Sequence, residues 1–374
     1  MDNENNRLIP NIDTYMDSEF VGKYKDIIKA NVLVIGPSGV GKSTLINEIF
    51  GKDICSVSHC KPCTQEFNYY DSHKYINIYD SKGLEHDTNM EQFIGEVNKF
   101  LMSKNNTTNP DEHIYIALYC LGESRLLDSD IQLLNALKKN NVHPILVFTK
   151  SDLKQDDEIA GLRQTAKEYG FNMQDVFFVV AKDGMYYEET SDEIKNGMAL
   201  LLHRMIECAP DAYKQSLIMA QQVDINNKIE YIINLKTEAY KIITKAVGLA
   251  AAAGAIPIPG SDAVVITPVQ LNMVKNLAEL YHFSVKECKE MILPLIGQMA
   301  GIMVARNLLK IFPGLGSLIG ASTAAILTGG IGYLCVNRFE TRAMSLAKGE
   351  APKPMLFDLD SLLEFMNIFE NTKK

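Results

Sequence analysis

The run Asn31-Val-Leu-Val-Ile35 passes directly into Gly36-Pro37-Ser38-Gly39-Val40-Gly41-Lys42-Ser43, and Thr44 to Phe50 continues at helical spacing. A β-branched run, a glycine-rich turn and an amphipathic stretch open a βαβ unit. The turn fits G-x-x-x-x-G-K-[ST] in the context that gives this pattern meaning, after a strand and before a helix. Glycines let backbone N–H groups turn inward towards phosphate oxygens, and the helix N-terminus adds its positive dipole end. The phosphate cradle is therefore expected to run from Gly36 to Thr44. Lys42 is placed to reach the β- and γ-phosphates, and the Ser43 hydroxyl to ligate Mg2+.

Further strand-like runs occur at 75–79, 114–119, 145–148 and 176–180, separated by helical patterns near 90–103, 130–140, 157–169 and 191–206. Alternation of this kind predicts an α/β fold with a mostly parallel sheet covered on both faces. Beyond about residue 208 no strand series continues. Helical patterns fill 212–250, 262–281, 284–309 and 317–345, with Ile256-Pro-Ile-Pro-Gly260 as a break. The expected organisation is a lead-in over 1–27, a nucleotide-binding α/β domain over 28–208, an all-α domain over 209–350, and a tail helix within 351–374.

Each later strand-like run ends in a loop with nucleotide chemistry. Asp80-Ser-Lys-Gly83 puts a carboxylate at the carboxyl end of a strand, where ligands bind in such sheets. Asp80 is expected to hold Mg2+ through water, and the Gly83 N–H to sense the γ-phosphate. Thr64 is the candidate switch hydroxyl that closes on Mg2+. Thr149-Lys150-Ser-Asp152 follows the 145–148 run as a base-reading loop. The Asp152 carboxylate can accept from guanine N1–H and N2–H2 together, a donor pair that adenine lacks. Val180-Ala181-Lys182 ends the last run, where the Ala181 N–H is placed for guanine O6. Any one of these tetrapeptides is common. Their succession in this order, each behind its own strand, is not.

With those motifs in place, residues 31–182 resemble an Era-like GTPase of the translation-factor-related class. The resemblance implies GTP or GDP as bound nucleotide, Mg2+ as cofactor, and catalysis through Lys42, Thr64 and Gly83. Residues 246–271, including Ile256-Pro-Ile-Pro-Gly-Ser-Asp262, resemble the helical domain of unknown function numbered 697, found in YcjF-like proteins. Two departures matter. Thr149 stands where most GTPases have Asn, as in immunity-related GTPases, which puts the rigidity of the base loop in question. Leu84 stands where Ras-like proteins place a water-orienting Gln, and an aliphatic side chain orients no water, so intrinsic hydrolysis is expected to be slow or to depend on another group. Glu85 and His86 are the nearest polar side chains, and Arg125 is a conceivable cation supplied to a second copy.

Charge and composition limit the partners. The net charge of −9 argues against DNA binding. Within 241–342, nine Lys/Arg against five Asp/Glu leave a net of +4, in a segment poor in charge. Residues 311–337 are 27 residues without a charge, but they hold Pro313 and six glycines. A buried helical core is expected there, with contact to a membrane surface as the alternative. No dense basic patch marks a ribosome or RNA partner. Seven scattered cysteines argue for a reducing compartment and against a disulfide framework. A zinc reading of His59, Cys60 and Cys63 lacks a second ligand pair. The expectation is a cytoplasmic GTP-dependent switch, peripheral to a membrane or partly inserted if the alternative holds, with homo-oligomers as a route to activation. Assembly on lipid, as in dynamin-like proteins, and ribosome assembly are the rival readings.

Overall fold

The computed structural model describes residues 28–51, 54–55, 61–62, 67–81, 89–122, 125–181, 184–253, 268–283, 287 and 321–351. Residues 28–228 form one compact unit, and those from 229 onward fall in a second. Among the described residues the first carries seven strands: β1 (Ala30–Ile35), β2 (Lys61–Pro62), β3 (Phe67–Tyr70), β4 (Ile76–Ser81), β5 (Ile116–Leu121), β6 (His143–Phe148) and β7 (Val176–Phe178). They lie in the order β2-β3-β4-β1-β5-β6-β7. Strands β4, β1, β5, β6 and β7 run parallel, and β2 and β3 add an antiparallel edge.

Every residue of β1 and of β5 is buried. Strands buried on both faces must be nearly continuous in apolar residues, which is why the runs read from sequence carry no polar alternation. One face is covered by α2 (Met90–Asn105), α3 (Asp128–Lys139) and α4 (Asp156–Glu168), whose Val97, Leu101, Leu134, Leu137 and Leu162 meet Leu33, Ile35 and Phe148 in the main core. Full burial of each such side chain contributes about 1.5–3 kcal/mol. The Phe67 ring stacks on Phe100 at 4.3 Å and fastens the edge hairpin to α2. That hairpin has no counterpart among the sequence-predicted strands. Phe67–Tyr70 is four residues long, with buried ends and a half-buried middle, so it shows neither an apolar run nor a clean alternation.

Local chemistry sets the helix starts. The Asn89 side chain accepts from the Gln92 N–H at 3.1 Å and caps α2. Asp130 is buried and fully used: it accepts from the Leu127 N–H at 2.8 Å and from the Tyr119 hydroxyl at 2.6 Å, which joins the start of α3 to β5. Acids in the first turn of α3 and Lys138 and Lys139 in its last turn both favour the helix dipole.

The opposite face holds α1 (Lys42–Phe50), α6 (Gly197–Cys208), preceded by the short α5 (Asp192–Lys195), and α7 (Asp211–Ala220). Helix α7 packs on β1 and β4. Its Tyr213 and Leu217 are buried, the Tyr213 hydroxyl donates to the Pro110 carbonyl, and Ser216 donates to the Ile28 carbonyl. This unit therefore runs on to Lys228, past the 208 at which strand-like sequence ends, because the sheet needs α7 to cover β1.

The second unit is helical where described, with most of α8 (Ile225–Ala253), α9 (Pro268–Leu280) and α10 (Ala321–Ala347). Helices α9 and α10 pack together, and the Gln270 amide donates to the buried Thr328 hydroxyl at 3.1 Å. Gly332 lets α10 approach α8, since a Cβ there would lie 2.7 Å from Ile243. Lys236 and Glu340 pair at 2.9 Å. Among the described residues no helix is long and apolar enough to cross a membrane. The apolar run 291–305, residues 311–320 of the run 311–337, and the tail from 352 lie outside the described residues.

Candidate functional site

The strand order switches sides at β1, which lies between β4 and β5. The carboxyl ends of β1, β4, β5, β6 and β7 thus converge on one edge, the place where open α/β sheets bind ligands. Gly36 leaves β1 with φ 151°, and a Cβ there would stand 2.1 Å from the Cys120 carbonyl oxygen of β5, so only glycine fits. Gly39 (φ 74°) and Gly41 (φ 105°) hold left-handed conformations that turn the loop into α1. The Gly41 carbonyl accepts from the Leu45 N–H at 2.9 Å and closes the first helical turn.

Lys42 folds back over this loop. Its Nζ donates to the Gly36 carbonyl at 2.9 Å and the Pro37 carbonyl at 3.0 Å, and the residue is only 8% exposed. Ser38, Gly39, Ser43 and Thr44 are exposed, whereas Val40 is buried. The ammonium, the loop N–H groups and the first-turn hydroxyls form a compact donor surface suited to phosphate.

Asp80 pairs in register with Val34 at the end of β4, one strand from the loop. It is 6% exposed, and burial pushes its carboxyl up to about 6, partly offset by the positive charge of Lys42. Its Oδ1 has no hydrogen-bond partner among the described residues, nor has the buried Ser81 hydroxyl. A buried carboxylate oxygen without a partner among the described residues, on the strand next to the loop that carries the exposed Ser43 hydroxyl, is hard-oxygen chemistry of the kind that fits Mg2+.

The loop at 149–152 is bolted to the glycine-rich loop at 36–41. The Thr149 hydroxyl lies 2.6 Å from the Val40 carbonyl and 3.2 Å from that of Leu121, and Lys150 Nζ donates to the Gly39 carbonyl at 2.8 Å. Lys150 adopts the left-handed conformation, φ 53°. Ser151 is buried, its N–H donating to Val179 and its hydroxyl to the Phe148 carbonyl. Asp152 follows in a 3-10 turn, Ser151–Leu153, and its Oδ2 accepts from the Tyr186 N–H at 3.3 Å. Ala181 is half-buried just beyond β7, and its carbonyl accepts from the Gly184 N–H. Motif spacing did not single out Lys154, whose Nζ donates to the Gly122 carbonyl at 2.6 Å and ties down the exit of β5. Burial lowers its pKa.

The structure thus brings Gly36 to Thr44, Asp80, Thr149, Lys150, Asp152 and Ala181 to one edge. Thr64, Lys82, Gly83, Leu84, Glu85, His86 and Lys182 lie outside the described residues, as do His59, Cys60 and Cys63. Arg125 is exposed in the segment after β5, and Asp128 accepts from the Tyr169 hydroxyl at 2.7 Å.

A second cluster sits at the far end of the sheet, where His143, Asp175 and Cys208 place ligand-type atoms within 4.8 Å of one another. Arg204 Nε already donates to Asp175 Oδ1 at 2.8 Å, and His143 Nε2 lies 2.8 Å from the same oxygen. The guanidinium supplies the cation there, so the cluster is an ion-pair network.

Residues 31–150 match the family described as 50S ribosome-binding GTPase. The chain is 27% identical over 158 residues to the probable GTP-binding protein EngB of Mycoplasmopsis synoviae, covering 40% of this chain and 80% of that protein. It is 29% identical over 133 residues to GTPase Era of Buchnera aphidicola subsp. Acyrthosiphon pisum, covering 35% and 44%. It is 26% identical over 175 residues to cell division control protein 10 of Encephalitozoon cuniculi, covering 43% and 48%. The chain spans less than half the length of the last two. Its second unit lies beyond the matched family segment, which ends at residue 150. Residues 31–150 are a P-loop GTPase segment with homologues of the EngB and Era kinds.

Proposed function

We propose that this protein is a guanine-nucleotide switch that binds GTP with Mg2+, hydrolyses it slowly to GDP and phosphate, and uses the helical segment after residue 228 as its output element. The observation that carries the proposal is the pair of side-chain contacts, Thr149 to Val40 and Lys150 to Gly39, that join base loop to phosphate loop. A nucleotide must bridge these two loops at a fixed separation, and the contacts hold that separation before anything binds. Lys42 and the loop N–H groups take the β- and γ-phosphates, and Asp152 takes the guanine edge. Ser43, Asp80 and Thr64 would hold Mg2+, which neutralises phosphate charge when bound.

Hydrolysis is slow because Leu84 offers no group to orient water. A cation supplied in trans raises such rates by about 10³–10⁵ in P-loop GTPases. Measuring turnover per molecule against protein concentration tests this. A rise with concentration supports activation by a second copy, with Arg125 as the first donor to mutate. A flat, slow profile supports an external activator, and fast turnover in dilute protein would refute the slow switch.

The matched family's description supports a second reading, in which a large ribosomal particle is the partner. Co-sedimentation with 50S subunits in the presence of GTP but not GDP tests it, and sedimentation with lipid vesicles tests the membrane alternative.

A further inference from the structure

Asp152 is held from the side by the turn that follows β7. Its backbone is fixed through Ser151, but its carboxylate touches that turn: Oδ2 accepts from the Tyr186 N–H at 3.3 Å. At Gly184 an added Cβ would lie 3.0 Å from the same Oδ2, 2.7 Å from Val180 Cγ2 and 2.9 Å from the Ala181 carbonyl oxygen. Gly184 is not among the positive-φ glycines, so its backbone conformation alone would accept alanine. What excludes a side chain is the space that Val180, the Ala181 carbonyl and the Asp152 carboxylate occupy. The Gly184 N–H also donates to that carbonyl at 2.9 Å, which closes the turn.

We infer that Gly184 and the Tyr186 amide are positioning elements for base recognition: they set where the Asp152 carboxylate stands and thereby how strictly the site demands a 2-amino purine. This deepens the proposed function and rests on Asp152 reading guanine. A carboxylate that must accept two donors from one base edge tolerates little displacement, since discrimination depends on both bonds being made together. Adding a methyl at 184 moves Oδ2 or turns the Tyr186 N–H away, and the bond to the 2-amino group suffers. Phosphate contacts on the other side of the nucleotide stay as they were.

The test compares GTP with ITP, whose base lacks the 2-amino group, in the full-length protein and in Gly184→Ala. GTP affinity should fall by about tenfold, the order of one hydrogen bond to a charged group, while ITP affinity changes little, so the preference for GTP collapses. An equal loss for both nucleotides would show a merely structural glycine, and no change at all would show that the carboxylate does not depend on the turn. Either result overturns the inference. Val180→Ala with Gly184→Ala removes the one contact that is pure packing. It should fold at least as well as the single variant and keep the collapsed preference, and recovery of the wild-type preference would overturn the inference. Asp152→Asn separates the two levels. If it does not turn preference towards xanthosine triphosphate, the base reading itself fails. If it does, while Gly184→Ala leaves the GTP to ITP ratio unchanged, only the positioning role fails.

Discussion

The Thr149 hydroxyl lies 2.6 Å from the carbonyl oxygen of Val40, a residue 109 positions earlier, and links the two loops proposed to hold the nucleotide. Both residues are buried. The bond answers the question raised by threonine in place of asparagine, because a short hydroxyl suffices when the loops come this close. Thr149→Val keeps the shape and leaves the Val40 carbonyl unpaired, which should cost about 1–3 kcal/mol of stability. Affinity for a fluorescent GTP analogue should drop as the loops part. Thr149→Ser should stay near wild type in both thermal melting and binding. Equal behaviour of Val and Ser variants would remove the strap from the account.

Lys42 and Ser43 separate binding from folding. Ser43 is exposed, so Ser43→Asn should melt within about 0.5 kcal/mol of wild type. Its Mg2+-dependent GTP affinity should nonetheless be largely lost. Lys42→Ala removes the ammonium that spans the Gly36 and Pro37 carbonyls, and should weaken binding about a hundredfold or more. Unchanged affinity in either variant, measured by fluorescence titration, would displace the phosphate site from this loop.

Burial makes ionisation of Asp80 unfavourable. Its folded pKa is raised from 3.8 to about 6, so its ionisation opposes folding. That penalty is absent below pH 4, grows as pH rises and is complete above about pH 6. Asp80→Asn should therefore stabilise the nucleotide-free protein at pH 7 by up to about 3 kcal/mol and have little effect at pH 4. The same change should abolish stabilisation by GTP with Mg2+. Melting curves at the two pH values, with and without nucleotide, read both effects. A destabilised variant at pH 7 would show that the carboxylate is satisfied in solution.

Asp175 behaves in the opposite sense. Burial raises its pKa, but hydrogen bonds from His143 and Arg204 outweigh that and hold it below the usual carboxylate range. Its contribution is present above about pH 4 and is lost as pH falls further. Asp175→Asn should cost about 1–2 kcal/mol at pH 7 after allowance for solvent screening, and the gap to wild type should close in acid. GTP affinity should not change, because the cluster lies at the far end of the sheet. Loss of nucleotide binding with intact folding would contradict that separation.

Much of the site was legible because its chemistry is local. The glycines at 36, 39 and 41, the lysine at 42 and the helix that starts there depend on backbone conformations and reach that neighbouring residues dictate. Strands β1, β4, β5 and β6 were visible as mainly apolar runs, because burial leaves few polar positions. The order of the loops, each behind a strand, placed Asp80, Thr149 and Asp152 on one edge by topology alone.

Contacts between segments distant in the chain were decided only by the tertiary structure. No spacing reveals that Thr149 reaches Val40, that Lys154 holds Gly122, or that Gly184 must stay small beside Asp152. The Phe67–Tyr70 strand exists because Phe67 finds Phe100, and α7 joins the sheet because β1 needs cover. Local sequence sets dihedral preference and apolar period, which are properties of neighbouring residues. Close approach between distant segments follows from how the whole core packs, and the pKa of Asp80 from how deeply that packing buries it.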